Sequence, residues 1–519
     1  MKALDYTAEN YLGAQLQTAE TLEERGERHI RKDVDVAVVG AGPGGLCAAH
    51  VLAKAGMSVV VLEAGQYWPI KSFKRDQTWA TTHLFQEQGA RFATGNSLTP
   101  IASGRGVGGG TLINSGICFR TPDRVLDEWH EEFGVEIWSP DRRDEQFAEV
   151  EEAIGVAPTS PAVAGGNTEV AKRGFERMGV EHAYMPRNMP GCVGCGTCQT
   201  GCPVGGKASS DLNWLPQMLR DGGELYADTR VEEILMDGDR AVGVRGTTRL
   251  PESNDEVAEI TVDADRVVLA CGAIYTPMML QRQGLANSSG QVGRNLHIHP
   301  GVSVLAHMPD DVEIWQGATQ GYYAHHPEEE DIIAETFSAP AEALFTPGSE
   351  IGYDGMEFLY KLPQLAGCGI MIRDSTSGYV EPNGWKADIT YFFNNDDCEK
   401  LRKGFLFIVD MFFEAGAESV KPLLNRAEFW SSRQRTRSAI LRSNAPGDYT
   451  LYASHPHGTC RMSADPDRGV VRPSDGQTHD VENLHVTDAS VFPSAPGVNP
   501  QITIMATSLQ LARGITGSA

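Results

Sequence analysis

Hydrophobic positions along the chain occur partly as short continuous runs and partly in alternation. The run DVDVAVVG, which ends at Gly40, is rich in valine and bounded by glycine, as is typical of a buried parallel strand. Similar runs occur in SVVVLEAG near residue 60, ADRVVLACG near residue 268 and ENLHVTDAS near residue 485. We expect these runs to share one sheet, so the domain that contains them is predicted to be discontinuous in sequence.

Between about residues 305 and 447 the pattern changes to the alternation that is typical of hairpins. The stretch GYVEPNGWKADITYFF shows this alternation around a predicted turn at Asn383-Gly384. A helix is predicted from about Asp397 to Gly416, with an apolar side formed by Phe405, Ile408, Phe412 and Phe413. This block is therefore predicted to be a second domain with an antiparallel sheet and helices.

Charge and composition narrow the classes of partner. The chain of 519 residues has 44 basic and 69 acidic side chains and a formal net charge of -25, which argues against nucleic acid and anionic membranes as partners. The N-terminus lacks the features of a secretory signal, and no stretch approaches twenty consecutive apolar residues. We expect a cytoplasmic protein without a membrane span, in which the ten cysteines are thiols or metal ligands rather than disulfides.

The glycines after the first predicted strand form a motif for binding a dinucleotide. In VVGAGPGGLCAAH, Gly40 allows a tight turn, Gly42 lets the backbone approach a pyrophosphate, and Gly45 lets helix and strand pack closely. The pyrophosphate is expected at the helix N-terminus, where free N–H groups favour negative charge. Glu63 ends the next strand at the position for a ribose hydroxyl. These residues predict a dinucleotide site but do not separate FAD from NAD.

A second glycine cluster carries a resemblance to a known family. The stretch GRGVGGGTLINSGICFR at 104–120 resembles the first signature of the glucose-methanol-choline (GMC) flavoprotein oxidoreductases, with wording closest to the cholesterol oxidase type. Four further stretches resemble family segments in the expected order: CGAIYTPMMLQRQG at 271–284, VGRNLHIHPG at 292–301, SHPHGTCRM at 454–462 and DASVFPSAPGVNPQITIMA at 488–506. The resemblance implies an α/β Rossmann-like FAD-binding domain plus an α+β substrate domain with an antiparallel sheet.

The same resemblance suggests a division of the chain. Residues 1–32, with apolar residues at loosely helical spacing, are predicted to be an N-terminal helical arm. Residues 33–304 are the first part of the FAD-binding domain and include a cysteine-rich loop at 191–206, and residues 305–447 are the substrate domain. Residues 448–519 are the C-terminal part of the FAD-binding domain, which carries the catalytic residues.

The resemblance also assigns the residues that contact the cofactor. They are Gly40, Gly42, Gly45, Glu63, Gly108, Gly109, Asn114, Val231, Asp488 and Pro500. Some family members attach FAD through a histidine in the first signature. Here the corresponding positions hold Thr111, Leu112 and Ile113, none of which forms that bond, so FAD is expected to be non-covalent.

Oxidation of an alcohol requires a group that accepts the hydroxyl proton, and a histidine with a pKa of about 6.5 suits this role. By resemblance the base is His455, and Asn499 is the second catalytic residue, which orients the substrate oxygen. His457 is the competing histidine, and a structural role is expected for it. His297 and His299 are also predicted to be structural, with a metal site as the alternative.

The loop GCVGCGTCQTGCPVGG places Cys192, Cys195, Cys198 and Cys202 at the spacing of bacterial ferredoxin ligands. In two-cluster ferredoxins the fourth cysteine of such a run binds the other cluster, and this chain has one run. Cys202 therefore either folds back onto the same cluster or leaves it with three protein ligands from the loop. We expect an iron-sulfur cluster, either 4Fe-4S or 3Fe-4S, with unliganded cysteines and a structural zinc site as alternatives.

Taken together, these features predict a FAD-dependent alcohol dehydrogenase that oxidises a CH-OH group by hydride transfer to flavin N5. Because an iron-sulfur cluster transfers single electrons, it would relay them to an external acceptor such as a quinone, a cytochrome or a small redox protein. One alternative is an alcohol oxidase that reduces oxygen to hydrogen peroxide. Another is a non-redox flavin-dependent lyase or photoenzyme, because the fold alone does not determine the reaction.

Overall fold

The computed structural model describes residues 7–517 apart from 341–343, 345–351, 426 and 444. The α-helices are α1 (Ala19–Arg25), α2 (Pro43–Lys54), α3 (Gln77–Leu84), α4 (Asp123–Phe133), α5 (Arg143–Ile154), α6 (Pro161–Ala164), α7 (Gly166–Met178), α8 (Ser210–Arg220), α9 (Gly272–Gln283), α10 (Tyr353–Tyr360), α11 (Asn395–Glu414), α12 (Arg433–Arg442) and α13 (Gln501–Thr516). Short 3₁₀ helices lie at Ala8–Tyr11, Ile70–Ser72, Gln86–Gly89, Gly109–Leu112, Glu136–Trp138, Leu362–Gln364, Pro446–Asp448 and Ala489–Val491.

The strands are β1 (Leu16–Gln17), β2 (His29–Val39), β3 (Val59–Leu62), β4 (Phe92–Gly95), β5 (Thr99–Pro100), β6 (Ala157–Pro158), β7 (His182–Tyr184), β8 (Pro186–Arg187), β9 (Glu224–Tyr226), β10 (Thr229–Asp237), β11 (Arg240–Arg249), β12 (Glu256–Leu269), β13 (Gly301–His307), β14 (Tyr322–His326), β15 (Glu329–Thr336), β16 (Leu365–Ile372), β17 (Tyr379–Asn383), β18 (Lys386–Tyr391), β19 (Ser419–Pro422) and β20 (Leu484–Val486). In the described part of the chain, no helix combines the length and apolar character needed to cross a bilayer.

The first sheet contains eight strands in the order β1-β9-β3-β2-β12-β11-β10, with β20 paired to β12. The pairings among β1, β9, β3, β2, β12 and β20 are parallel, whereas those of β12 with β11 and of β11 with β10 are antiparallel. The four predicted runs correspond to β2, β3, β12 and β20, so the prediction that they share one sheet is confirmed. The run at 36–39 is buried, and helix α2, which itself packs against α8 and α13, covers β2 and β3 there.

The second sheet has six strands in the order β19-β13-β16-β15-β14-β7, and every pairing in it is antiparallel. Helix α11 packs against this sheet and buries Phe405, Ile408 and Phe412, which confirms the predicted helix to within two residues at each end. The predicted hairpin is formed by β17 and β18. Its turn lies one residue later than predicted, because Asn383 pairs with Lys386 and leaves Gly384 and Trp385 as the turn.

The N-terminal segment contains more than the expected helix. Besides α1, it provides β1, which pairs with β9 at the edge of the first sheet. Leu16 and Leu22 are fully buried, whereas Leu12 is 45% exposed. The division at residue 304 remains a proposal, because β13 crosses that boundary and β7, from the preceding segment, completes the second sheet.

Candidate active site

A cavity of about 950 Å³ extends from the carboxyl ends of β2 and β3 to the inner face of the second sheet. Most of the predicted cofactor and catalytic residues line it: Gly40, Gly42, Glu63, Gly109, Asn114, Val231, His455, Asp488, Asn499 and Pro500. Gly45 and Gly108 are not part of this lining. The structure therefore brings together residues from both ends of the chain, at the edge of a parallel sheet where ligands commonly bind.

The two glycine loops contact each other and form one wall of the cavity. Gly42 precedes α2 without any side-chain cap, so the first N–H groups of that helix remain available for an anion. The Gly108 N–H donates to the Ala41 carbonyl at 2.8 Å, and a Cβ on Gly109 would lie 2.8 Å from the Gly42 Cα. A Cβ on Gly45 would lie 1.9 Å from the Gly40 carbonyl oxygen, so Gly45 serves the packing of helix on strand.

Glu63 shapes the first glycine loop as well as facing the cavity. Its Oε2 accepts a hydrogen bond from the Ala41 N–H at 2.8 Å, and its Oε1 accepts one from the Gly65 N–H at 2.7 Å. Burial raises the pKa of this carboxyl group above its ordinary value. Because each carboxylate oxygen has a further lone pair, Glu63 can still accept hydrogen bonds from ribose hydroxyls.

Asp488 fixes the C-terminal segment beside the start of α9. Its Oδ2 accepts hydrogen bonds from the Gly272 N–H at 2.8 Å and from the Thr276 hydroxyl at 2.5 Å, and its Oδ1 accepts one from the Ser490 N–H at 2.8 Å. With its carboxylate occupied in this way, Asp488 holds the backbone of residues 488–490 against the cavity. The open helix N-terminus, the two glycine loops and Glu63 therefore fit a dinucleotide cofactor.

The structure separates the two histidines of the SHPHGTCRM segment. His455 lines the cavity, and its buried Nδ1 has no hydrogen-bond partner among the described residues. Burial lowers the pKa of His455 to about 4, so its ring is neutral at pH 7. His457 is fully buried outside the cavity lining, and its Nδ1 lies 2.6 Å from the His455 carbonyl oxygen. Of these two rings, the one that faces the cavity is His455.

A glutamate that the sequence patterns did not single out lies beside Asn499. Glu335 on β15 is 6% exposed and lines the cavity. Burial raises its pKa to about 7, although the Asn499 side chain and the hydrogen bond from Gln320 partly oppose this shift. The Asn499 Oδ1 is buried without a hydrogen-bond partner in the described chain. The one available signal in the sequence was a charged residue directly after the apolar run Ile332–Ala334.

The predicted structural histidines surround a buried carboxylate. Ligand atoms of His299, Asp374 and His457 lie within 4.8 Å of one another, which makes a metal site geometrically conceivable. The Asp374 carboxylate, however, already accepts hydrogen bonds from the Ile298 and His299 N–H groups and from the Tyr391 hydroxyl. Burial opposes ionisation, but the contact with His297 holds the pKa of Asp374 well below its usual range.

The hydrogen bonds of these histidines also assign their tautomers. The Gly497 N–H donates to the His299 Nε2 at 3.1 Å, so a neutral His299 carries its proton on Nδ1 and has no lone pair there for a metal. The His457 Nδ1 donates to the His455 carbonyl, which leaves its Nε2 as an acceptor. A donor on His299 and an acceptor on His457 are therefore complementary, which favours the predicted structural role over a metal site.

The cysteine loop is attached to the wall of the cavity by two buried cations. The Lys207 Nζ donates to the carbonyls of Leu112 and Asn114, each at 2.9 Å, and to that of Cys198 at 3.1 Å. The Arg187 guanidinium donates to the Ser115 carbonyl at 2.7 Å and to the Cys198 Sγ at 3.2 Å. Because residues 114 and 115 line the cavity, as does Gln199 within the loop, the cysteines lie next to the predicted flavin site.

The four thiols have different environments. Cys198 is buried, and the charges of Arg187 and Lys207 lower its pKa against the opposing effect of burial. Burial raises the pKa of Cys192, and the thiols of Cys198 and Cys195 lie near enough to raise it further. Among the described residues, the group of side chains close enough to hold a metal ion is His299, Asp374 and His457, and the four cysteines do not form another.

Comparisons with known proteins agree with this geometry. Family models described as GMC oxidoreductase match residues 81–301 and 373–508, and one described as an FAD binding domain matches residues 33–78. An uncharacterized GMC-type oxidoreductase of Mycobacterium tuberculosis is 35% identical over 92% of this chain and 75% of its own length. The long-chain-alcohol oxidase FAO4A of Arabidopsis thaliana is 31% identical over 91% of this chain and 66% of its own length.

Solved structures show the same fold at low sequence identity. Pyridoxine 4-oxidase from Mesorbium loti matches with a TM-score of 0.70 at 18% identity, over 93% of this chain and 99% of its own. A formate oxidase variant of Aspergillus oryzae RIB40 matches with a TM-score of 0.71 at 17% identity, over 94% of this chain and 99% of its own. At such identities the structures support the predicted two-domain α/β and α+β fold, and they are similar to this chain in fold alone.

Proposed function

The chain belongs to the GMC oxidoreductase family, and from this premise we propose that it oxidises the CH-OH group of alcohols with FAD as its cofactor. The observation that carries this proposal is the shared cavity, in which His455 and Asn499 face the same space as the glycine loops. Bound FAD supplies the acceptor for the hydride that leaves the alcohol carbon. The predicted cofactor residues, including Val231, Gly109 and Pro500, would hold FAD along the cavity wall.

The residues of the chain provide the proton transfer and the orientation. His455, which burial keeps neutral, accepts the hydroxyl proton on a ring nitrogen. Asn499 orients the substrate oxygen through its side-chain amide, whose oxygen has no partner in the described protein. Apolar side chains of Ile117, Phe337 and Met371 also line the cavity, so they exclude water from the reacting groups.

FAD should be releasable from the purified protein. The 3₁₀ turn of the first signature contains Thr111 and Leu112, followed by Ile113, and none of these side chains forms a covalent bond to flavin. Acid precipitation should therefore leave the yellow flavin in the supernatant, as measured by its absorbance. Flavin that remained in the washed pellet would contradict non-covalent binding.

The apolar lining and the names of relatives favour alcohols with an aliphatic part. Three relatives similar to this chain are named long-chain-alcohol oxidases, all from Arabidopsis thaliana. The test is anaerobic mixing of the protein with primary alcohols of increasing chain length. We expect the flavin absorbance to bleach, with kcat/KM rising as apolar chain is added. A flavin that no primary or secondary alcohol bleaches would exclude this function and favour a non-redox reaction.

We also propose that an iron-sulfur cluster on the cysteine loop relays electrons to an external acceptor. Its main support is charge: Arg187 and Lys207 are 2% and 1% exposed, and their hydrogen-bond partners among the described residues are carbonyl oxygens, a thiol and a hydroxyl. Burial lowers the pKa of Lys207 to about 8, which still leaves it charged at pH 7. Buried cations require compensating negative charge, and thiolates bound to a cluster would provide it.

The competing acceptor is oxygen, and the names of relatives favour it. FAO4A and a cholesterol oxidase of Acinetobacter baumannii, which is 22% identical to this chain, are both named as oxidases. Oxygen consumption and reduction of a one-electron dye, measured with the same alcohol, separate the two possibilities. Dye reduction much faster than oxygen consumption supports the relay, whereas stoichiometric hydrogen peroxide at the faster rate supports an oxidase.

A further inference from the structure

Glu335 has a free carboxylate oxygen inside the cavity. Its Oε2 accepts a hydrogen bond from the Gln320 Nε2 at 2.9 Å, but its Oε1 is buried without a hydrogen-bond partner in the described protein. The Asn499 side chain lies close enough to lower the pKa of Glu335, yet it does not have the geometry of a hydrogen bond to Oε1. No residue of the described chain satisfies this oxygen, so it is available to accept a hydrogen bond from a ligand in the cavity.

The groups around Glu335 do not neutralise its charge. Tyr452 and Cys368 lie near Glu335, with the Cys368 thiol donating to its main-chain carbonyl, and Tyr323 lies opposite it in register on β14. Burial raises the pKa of each of these three groups, so all three are neutral near pH 7. His455, which lines the same cavity, is also neutral there because burial lowers its pKa to about 4. Among the described residues, an ionised Glu335 therefore forms no ion pair with a cationic side chain, and such a buried charge is costly unless a ligand compensates it.

We propose that Glu335 binds a hydrogen-bond donor of the substrate, namely a hydroxyl or an ammonium group on a carbon close to the carbinol that is oxidised. The inference rests on the function proposed above, because it places the carbinol oxygen at Asn499. Glu335 and Asn499 are neighbours in the cavity, so a second polar group that reaches Oε1 is one or two carbons away from the carbinol. The rest of the substrate then extends along the apolar side chains of Phe337 and Met371.

Matched alcohols with one carbon skeleton test this inference. We would measure kcat/KM with 1-hexanol, 1,2-hexanediol and 2-amino-1-hexanol for the holoenzyme and for Glu335→Gln and Glu335→Leu. The wild type should favour at least one donor-bearing alcohol over 1-hexanol by about tenfold or more, the scale of a hydrogen bond to a charged group. Glu335→Gln, which keeps an acceptor oxygen but no charge, should lose preference for the amino alcohol more than for the diol. Glu335→Leu should lose both preferences.

The two donors are distinguished by pH. If the natural partner is an ammonium group, preference for the amino alcohol should grow as pH rises through about 7, where Glu335 ionises, while the amine itself stays protonated. If it is a hydroxyl, the diol preference should change little over the same range. Glu328→Gln is the matched control, because it removes the same charge from an exposed position next to β15.

The outcomes separate this inference from the proposed function. An unchanged ratio of donor-bearing to plain alcohol in Glu335→Leu, with 1-hexanol still oxidised, would overturn the inference alone. If the wild type oxidised none of the alcohols, the proposed function would fail. Binding of 2-amino-1-hexanol would then be measured through the change that it causes in the flavin absorbance. Weaker binding to Glu335→Gln than to Glu328→Gln would then still support the site, and equal binding would reject it. Thermal unfolding of each variant controls for loss of structure.

Discussion

The variant His455→Ala should retain FAD and reduce it with alcohol at least about two orders of magnitude more slowly than the wild type, the scale expected for loss of a general base. His455 faces the cavity with a ring that burial keeps neutral, so it is poised to accept a proton. Stopped-flow absorbance under anaerobic conditions measures the rate of bleaching directly. It separates proton abstraction from any later transfer of electrons to an acceptor.

His457→Ala is the comparison for this variant. His457 does not line the cavity and contacts His455 through the main chain, so its loss should slow bleaching much less. The rate in the wild type should also fall as pH drops through about 4, because the folded-state pKa of His455 is lowered and its neutral form prevails above that pH. If the flavin of His457→Ala bleached more slowly than that of His455→Ala, the assignment of the two histidines would be reversed.

The variant Cys195→Ser should lose bound iron and acid-labile sulfide while alcohol still bleaches its flavin. Turnover with an external one-electron acceptor should then fall close to background, because electrons leave FAD without a relay. Cys195 is the best position for this test, since within the described residues its Sγ makes one hydrogen bond, to the Thr197 hydroxyl at 3.2 Å. Replacing Cys198 would instead remove a partner of the buried Arg187 and confuse cluster loss with destabilisation.

Iron and sulfide are measured on protein prepared without oxygen, with Cys398→Ser as the control. Cys398 is a buried residue of α11, the helix that packs against the second sheet. Its replacement should therefore leave the metal content unchanged. Zinc at one atom per chain without sulfide in the wild type would contradict the cluster. Equal acceptor turnover in Cys195→Ser and the wild type would contradict the relay even if iron were present.

Much of the fold could be predicted because its signals are local. The valine run before Gly40 predicts a buried strand, and the 3.6-residue spacing of Phe405, Ile408 and Phe412 predicts α11. The N-terminal strand β1 was missed because two residues provide no periodicity. Leu16 is buried there by pairing with β9, which is distant in sequence, and no spacing within residues 1–32 reports that contact.

The site was predicted in its motifs but not in its buried charges. His455 and Asn499 were found through their resemblance to family segments, which are contiguous and distinctive. Glu335, Arg187 and Lys207 each occur singly, and their importance depends on their burial in three dimensions, where none of them forms an ion pair within the described part of the chain. A single charged residue in a sequence is most often exposed to solvent. The sequence therefore predicts an exposed position for all three residues, whereas the structure buries them.

The pairing of β20 with β12 also determines when the protein becomes an enzyme during its synthesis. Strand β12 is flanked by β2 from near the N-terminus and by β20 from residues 484–486, and Asp488 and Asn499 follow β20 directly. Nearly the whole chain must therefore emerge from the ribosome before the sheet and the cavity can be completed. Until then Val267–Leu269 at the end of β12 lack their partner beside the part that pairs with β11, and contacts between such distant segments form slowly. Cofactor loading is consequently a late event, and chains truncated before residue 484 should require chaperones to stay soluble.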